Sequence, residues 1–565
     1  MEQDSTGDDN TATIETGIHT LPNELLLLIF EMNADMFFNI NALKDTHHAS
    51  LVSQRWRQIL VDSPSIWGKL IDLNVLCKDS KVKEDWVNEI LRRSEGALLW
   101  IRVSISKRQN QSRAWTFFES LIKNNWTRIQ KLVVNIVPLS MDDRSTSWQT
   151  ILQPAPNLET FKVRCYHDSF RDGLDFNFAM KFVSEDHLLF HSPRDHPLDL
   201  FFNHAPSLRE FVATQIYFSL SAPWLSNLRS VFFTSPITLH KTFQAIEQMP
   251  LPERLDLKGI LYPPDQPDLP HLNFPKLTAI ALSDFLCVCS RVLNHITPAQ
   301  GCSLSLSVVK DAFDRLHNRL TSPVLRDTHQ ALSKYLKLFY QSHAATRIAL
   351  CCSSEAFSFT DTTTRFGENP PFSTVNFAFG PMSFYDDNEL TAFNDLVLAF
   401  TFDPASFPRV LTLDLDAPIL SYYTSFLSLS DFSAIEVLQA HESSLTTILE
   451  LADQKLDPNS RSCSYPFPSL ETLRLTGVNP PQSGNKARNS PLSLFLKASR
   501  RHGFPIKVLE VYSATPHPRL GYLRPFGRVL DRQLAGMMVK VLSQDGDGRE
   551  VVCGGGNAYR LFLEY

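Results

Sequence analysis

Near the start of the chain, Leu21, Leu25, Leu26, Leu27, Leu28, Ile29 and Phe30 bring together more apolar side chain than one helical face can bury. The spacing of Leu25, Leu28, Ile29 and Met32 predicts a helix with an apolar stripe. Pro22 suits its first turn, where no N–H is needed, and Glu24 complements the positive end of the helix dipole. A second helix is predicted through Ala49, Val52, Trp56 and Ile59, with Asp45 or Thr46 as its cap and Pro64 as its stop. So short a helical stretch buries little surface by itself. Part of the leucine-rich surface therefore needs a cover, supplied either by the rest of the chain or by another protein. Three or four such side chains would anchor a specific interface.

Beyond Lys69 the period changes. Lys69–Leu73 reads as a strand, and Glu84–Arg93 as a helix through Trp86, Val87, Ile90 and Leu91. A phrase of the form Leu-x-x-Leu-x-Leu then recurs, often behind a proline. Its copies run from Leu98 through Ile101, Ile129 through Leu132, Leu158 through Phe161, Leu208 through Phe211 and Leu228 through Val231. Further copies centre on Ile280, Leu413 and Leu473, and a last one spans Val508–Val511. The alternating end of each phrase suits a short strand with one buried face, and its leading residue packs in the turn before it. Ala331–Tyr340 and Ser493–Arg501 have helical spacing, Val375–Phe379 alternates like a strand, and Tyr262–Pro275, Val478–Pro491 and Ser184–Pro197 read as loops. A strand followed by a helix, repeated, hides its apolar side only by stacking on its neighbours. The alternative is a looser set of ordinary αβ units. Met538–Ser543 and Glu550–Cys553, around Asp545-Gly-Asp-Gly548, predict a C-terminal hairpin.

Three blocks near the start match a known module in order and spacing. They are Leu21-Pro22-x-Glu24-Leu25-Leu26-x-x-Ile29-Phe30, Leu51-Val52-Ser53-x-Arg55-Trp56-Arg57-x-Ile59 and Pro64-x-Ile66-Trp67. Together they resemble the F-box, and look most like the F-box proteins that are numerous in mushroom-forming fungi. Two departures stand out: Ser53-Gln54-Arg55 replaces a common Cys-Lys or Cys-Arg pair, and Asn33–Thr46 lacks landmarks. The resemblance implies a module over residues 18–70 that binds a Skp-type adaptor and, through it, the cullin and RING subunits of a ubiquitin ligase. It implies no catalytic residue, metal or cofactor of the chain's own. Matched position by position, adaptor contact falls to Leu21, Pro22, Leu25, Ile29, Leu51, Val52 and Trp56, with Arg55 and Arg57 at the rim.

The recurring phrases resemble the degenerate leucine-rich repeats that often follow an F-box, although their spacing is uneven, the usual turn-closing Asn or Cys is missing and Phe often replaces Leu. The implied fold class is α/β, a short N-terminal F-box helical module followed by an irregular leucine-rich-repeat-like solenoid over 71–565. Residues 1–17 read as a disordered acidic tail. On this reading the chain is the substrate-recognition subunit of an SCF-type ligase, with an unidentified protein substrate held by the repeats. The alternative is an F-box/repeat scaffold that assembles no ligase.

Composition narrows the remaining classes. A chain of 565 residues, 43% hydrophobic and 20% charged, is a folded protein too long for one ordinary core. The 40 Phe predict large buried aromatic area and the 35 Pro predict frequent turns. A net charge of -6 without a long basic run argues against nucleic acid, since Lys497–Arg501 and Arg524–Arg532 are short and interrupted. The 9 cysteines are scattered and form no Cys-x-x-Cys pair, which argues against a metal or disulfide framework and for a reducing compartment, cytoplasm or nucleus. The acidic start is unlike a secretory signal, and no apolar run of roughly eighteen residues predicts a membrane span.

Candidate chemistry is sparse. His441-Glu442 opens like a zinc-protease helix but has Leu445 where the second His is needed. Asp545-Gly-Asp-Gly548 lacks the third ligand and closing Glu of a calcium loop, and no Gly-x-Ser-x-Gly elbow occurs. Cys287-Val-Cys289 alternates like a strand with both thiols on one buried face. His187, His191 and His196 in one loop are the remaining candidates for metal or hydrolytic chemistry.

Overall fold

A computed structural model describes residues 18–76, 84–105, 111–136, 149–165, 197–214, 216, 218–234, 237–262, 267–308, 322–343, 346–352, 357–361, 375–379, 412–416, 434–454, 467–477, 490–512, 535–542 and 548–555. The acidic tail and the three loop histidines lie outside them. The chain divides into two compact units, Met1–Asp168 with Leu188–Asn227, and Ser169–His187 with Leu228–Tyr565.

The first unit opens with α1 (Asn23–Asn33), α2 (Ala42–Val52), α3 (Gln54–Val61) and α4 (Pro64–Gly68). The sequence predicts α2 and α3 as one helix. They are two, because Ser53 is extended and its hydroxyl accepts from the Trp56 N–H at 3.1 Å. That cap gives the first turn of α3 a partner which continuing α2 would not supply. Asp45 and Thr46 accordingly lie inside α2 rather than at its cap. The strand expected over Lys69–Leu73 shrinks to β1 (Ile71–Asp72), followed by α5 (Leu73–Leu76). The Asp72 carboxylate accepts from the Asn74 N–H at 3.0 Å and turns the chain out of the strand.

After α6 (Glu84–Ser94) come β2 (Leu99–Ile105), α7 (Gln111–Asn125), β3 (Ile129–Ile136), β4 (Thr160–Cys165) and β5 (Glu210–Ala213). The strands β1 to β5 pair in parallel, in chain order. Their register aligns Ile71, Ile101, Leu132, Phe161 and Phe211 in one buried row. That row is the central apolar position of the recurring phrase. The leading residues Ile129, Leu158 and Leu208 are buried as expected, but Leu98 is exposed. Backbone bonds close the turns ahead of the strands: Glu159 N–H donates to Gln130 O at 2.8 Å, and Arg209 N–H to Glu159 O at 2.8 Å.

Behind the strands, Phe201 sits between Trp126, Phe161 and Trp224, at ring-centroid distances of 6.3, 5.3 and 5.5 Å. Reaching that position takes a left-handed turn, with φ of 58° at Phe201, 48° at Phe202 and 55° at Asn203. Such a turn is costly for residues with a Cβ. It is held by the burial of Phe201, while Phe202 points to solvent.

In the second unit, β6 (Ser230–Thr234) leads to α8 (Leu239–Glu247), β7 (Arg254–Lys258), β8 (Leu272–Phe274) and β9 (Ala279–Asp284). Then follow α9 (Leu286–His295), β10 (Ile296–Pro298), β11 (Ser303–Val308), α10 (Ser322–Tyr340), β12 (Arg347–Cys352), β13 (Phe357–Asp361) and β14 (Val375–Phe379). The remaining elements are β15 (Thr412–Asp416), β16 (Val437–His441), α11 (Glu442–Gln454), β17 (Thr472–Gly477), α12 (Pro491–Arg501), β18 (Val508–Tyr512), β19 (Met538–Leu542) and β20 (Gly548–Val552). Parallel pairing runs β6-β7-β9-β11-β14. It resumes as β12-β15-β16-β17-β18-β19. Between the two runs, β13 is antiparallel to both β12 and β14, and β20 closes the series antiparallel to β19.

The buried rows repeat the logic of the first unit: Val231, Leu255, Ile280 and Leu304, then Leu413, Leu438, Leu473, Leu509 and Val539. Leu509 holds the row position, so the last predicted copy is shifted by two residues and is led by Ile506. Cys287 and Cys289 lie in α9, not in a strand. The buried Leu286, Cys289, Val292 and Leu293 follow helical spacing, which overrides three residues of alternation.

Candidate functional site

The helices α1 to α4 are held together by one set of apolar side chains and leave another set outside. Leu26 and Phe30, one turn apart, are buried, and Phe30 meets Trp56 edge-on at 5.1 Å. Ile66 and Trp67 are buried too, and the Trp67 indole N–H donates to Leu60 O at 2.7 Å. At roughly 100° per residue, Leu25, Leu28, Ile29 and Met32 point about 130° away from that inner stripe. They face solvent: Leu25 is 47% exposed and Ile29 37%. The stripe that periodicity marks as the apolar face is therefore the outer one.

At the end of α2, Leu51 and Val52 are 58% and 57% exposed. Pro22 is also exposed, whereas Leu21 and Trp56 are half-buried. Of the seven predicted contact residues, Leu25, Ile29, Leu51 and Val52 thus present open apolar surface, and Trp56 mainly backs Phe30. Leu28 and Met32 share the outer stripe of α1 but were not in the predicted contact set. The signal was in the spacing.

Arg55 and Arg57 are engaged within the module. Arg55 donates to Asn23 Oδ1 at 2.9 and 2.7 Å and to Leu21 O at 2.5 Å, which ties α3 to the start of α1. Arg57 Nε donates to Ser50 O at 3.0 Å and braces the α2–α3 junction. Both guanidinium groups thereby position the helices that carry the open leucines.

The helices are also fixed to the strands that follow. Phe37, in the turn before α2, lies 5.8 Å from the Trp100 ring of β2, and Lys131 Nζ sits 3.7 Å over that same ring. Lys69 pairs with Glu31 at 3.8 Å, and Arg102 bonds Asp72. Arg93 of α6 lies 4.4 Å over the Trp67 ring. Glu89 orients that arginine, and hydrogen bonds from Arg92 and Arg93 hold its carboxyl down at about 2. What this arrangement offers is a rigidly mounted, exposed apolar surface. Among the described residues, no group of three or more His, Cys, Asp and Glu could hold a metal ion, and no helix is long and apolar enough to cross a membrane.

Residues 18–71 match the family model described as F-box-like. No curated protein and no solved structure matches the chain. The F-box-like domain takes in α1 to α4 and ends on Ile71, the first residue of β1 and a member of the buried row. Its boundary thus lies inside the first strand pair rather than in a linker.

Proposed function

We propose that the chain is the substrate-recognition subunit of an SCF-type cullin-RING ubiquitin ligase, and that the F-box-like domain grips a Skp-type adaptor. The carrying observation is the outward stripe of Leu25 and Ile29 with Leu51 and Val52, in a domain whose own core is already filled by Leu26, Phe30, Ile66 and Trp67. Leu21, Pro22 and Trp56 complete the contact set. The strands beyond Ile71 are read as an irregular leucine-rich-repeat-like solenoid that holds a protein substrate. The in-register rows of buried Leu, Ile, Val and Phe support that reading.

The mechanism is proximity. The adaptor end joins the chain to the cullin and RING subunits, the repeats hold the cargo, and a substrate lysine meets the conjugating enzyme at high effective concentration. No bond is made or broken by this chain.

Leu25→Asp combined with Val52→Asp tests the reading. Both changes put a carboxylate on surface that is exposed in the free chain, so the fold is kept while an apolar interface is lost. Co-purification with the adaptor, and with cullin and RING subunits by mass spectrometry, should vanish in the variant. Adaptor without cullin in the wild-type complex would favour the scaffold alternative, and adaptor retained by the double variant would remove these residues from the interface.

A further inference from the structure

Trp86 lies outside the F-box-like domain, on α6, yet it stands beside the domain's open face. Its ring meets His47 of α2 nearly perpendicularly, with centroids 6.0 Å apart. His47 and Leu51 are one helical turn apart on α2, so Trp86 sits at the end of the row that leads to the exposed Leu51. The placement is built, not incidental. Val87 and Ile90 bury one side of α6, and Arg93, two turns along from Trp86 on the same stripe, is clamped over Trp67. The ion pair of Arg93 with Glu89 at 2.7 Å keeps that clamp in place. Despite this anchoring, Trp86 stays 41% exposed. A large aromatic that stands on an anchored helix, is partly open and lies one helical turn from an exposed apolar patch has the character of an interface anchor.

We propose that Trp86 extends the adaptor-binding surface beyond the F-box-like domain, so that the Skp-type adaptor which covers Leu51 and Val52 also covers the indole. The inference rests on the adaptor reading above. The occupant is the same partner because the indole touches His47, one turn from Leu51 on the same helix, so a protein that covers Leu51 comes within reach of it. Covering the remaining 41% of Trp86 corresponds to roughly a ten- to fiftyfold gain in affinity at the usual increment per area.

The test uses the full chain and a purified Skp-type adaptor. Oxidative footprinting of the wild-type protein, read by mass spectrometry, should show Trp86 protected once adaptor is added. Isothermal titration should show Trp86→Ala binding at least tenfold more weakly, with unchanged far-ultraviolet circular dichroism. Footprinting needs no variant, so a misfolded Trp86→Ala chain leaves the question decidable. If the wild type binds adaptor while Trp86 is labelled equally with and without it, the extension is wrong and the adaptor reading stands. If the wild type does not bind adaptor at all, both fall.

Discussion

Leu25 and Leu26 are neighbours with opposite duties. Leu26 is fully buried against the inside of the helical module, and Leu25 is 47% exposed on the outside. Leu26→Ala removes a wholly enclosed isobutyl group and should cost about 2–5 kcal/mol, the transfer term plus the cavity left behind. Full burial of a leucine contributes roughly 2 kcal/mol, so the half of Leu25 already covered is worth about 1 kcal/mol to folding. The other half is worth about 1 kcal/mol to adaptor binding, or roughly a fivefold change in Kd. Leu25→Asp should go further, because its carboxylate would be stripped of water at the interface, and we expect about a hundredfold weaker binding with a stability loss of only about 1 kcal/mol. Hydrogen exchange of α1 peptides reads the first effect and titration with adaptor the second. Faster exchange by roughly thirtyfold or more is expected for Leu26→Ala alone. If Leu25→Asp instead opens α1 while adaptor affinity holds, the two faces of the helix have been assigned the wrong way round.

Four other outcomes are expected from the same structure. Phe201→Ala should destabilise the first unit by about 2–3 kcal/mol, less than the usual 3–5 kcal/mol for a buried Phe because the left-handed turn is released with it. Phe202→Gly, at an exposed position with φ of 48°, should leave stability unchanged or raise it, and a loss above about 1 kcal/mol in chemical denaturation would count against strain in that turn. Gly68→Ala would drive a Cβ into the carbonyl oxygen of Leu98, so the α4–β2 contact must open at a cost of about 1–3 kcal/mol, visible as faster exchange in the β1 and β2 peptides. Burial raises the Asp284 carboxyl to about 6, even though it accepts from the Ile260 and Phe285 N–H groups at 2.5 and 2.8 Å. The folded chain then holds this proton where the unfolded chain has lost it. Its contribution is therefore greatest at low pH and falls as pH rises through about 6. Between pH 5 and 7 the wild type should lose more stability than Asp284→Asn, and equal losses would show that Asp284 does not titrate there.

Much of this fold could be read from apolar spacing, and the places where it could not be read share a cause. The phrases at Leu132, Phe161, Phe211, Val231, Ile280 and Leu473 mark strands because a buried leading residue and an alternating pair coincide in each. The strands at Leu255 and Leu304 do not carry the phrase, because Pro252 and Gly301 stand in the leading position, where it expects an apolar side chain. At Leu438 the leading Ile435 is present, but Ala440 ends the phrase with too small a residue to be conspicuous. In α1 every position from Leu25 to Phe30 is apolar, so periodicity offers two stripes and cannot say which one packs inward. That choice is made by the rest of the module, where Trp56 arrives from another helix and meets Phe30 edge-on. The site was legible as residue types, while its orientation was a tertiary fact.

The hairpin of β19 and β20 has a consequence for assembly between molecules. A row of parallel strands would present, at its last edge, backbone groups ready to accept another strand in the same direction. Here the chain turns back on itself, Met538 pairs with Val552 and Lys540 reaches Glu550 at 3.6 Å. Among the described residues the pairing therefore ends on a short reversed strand that does not continue the parallel pattern. A cut ahead of Gly548 would uncover β19 and leave its outer backbone groups open to pairing with a strand from another molecule.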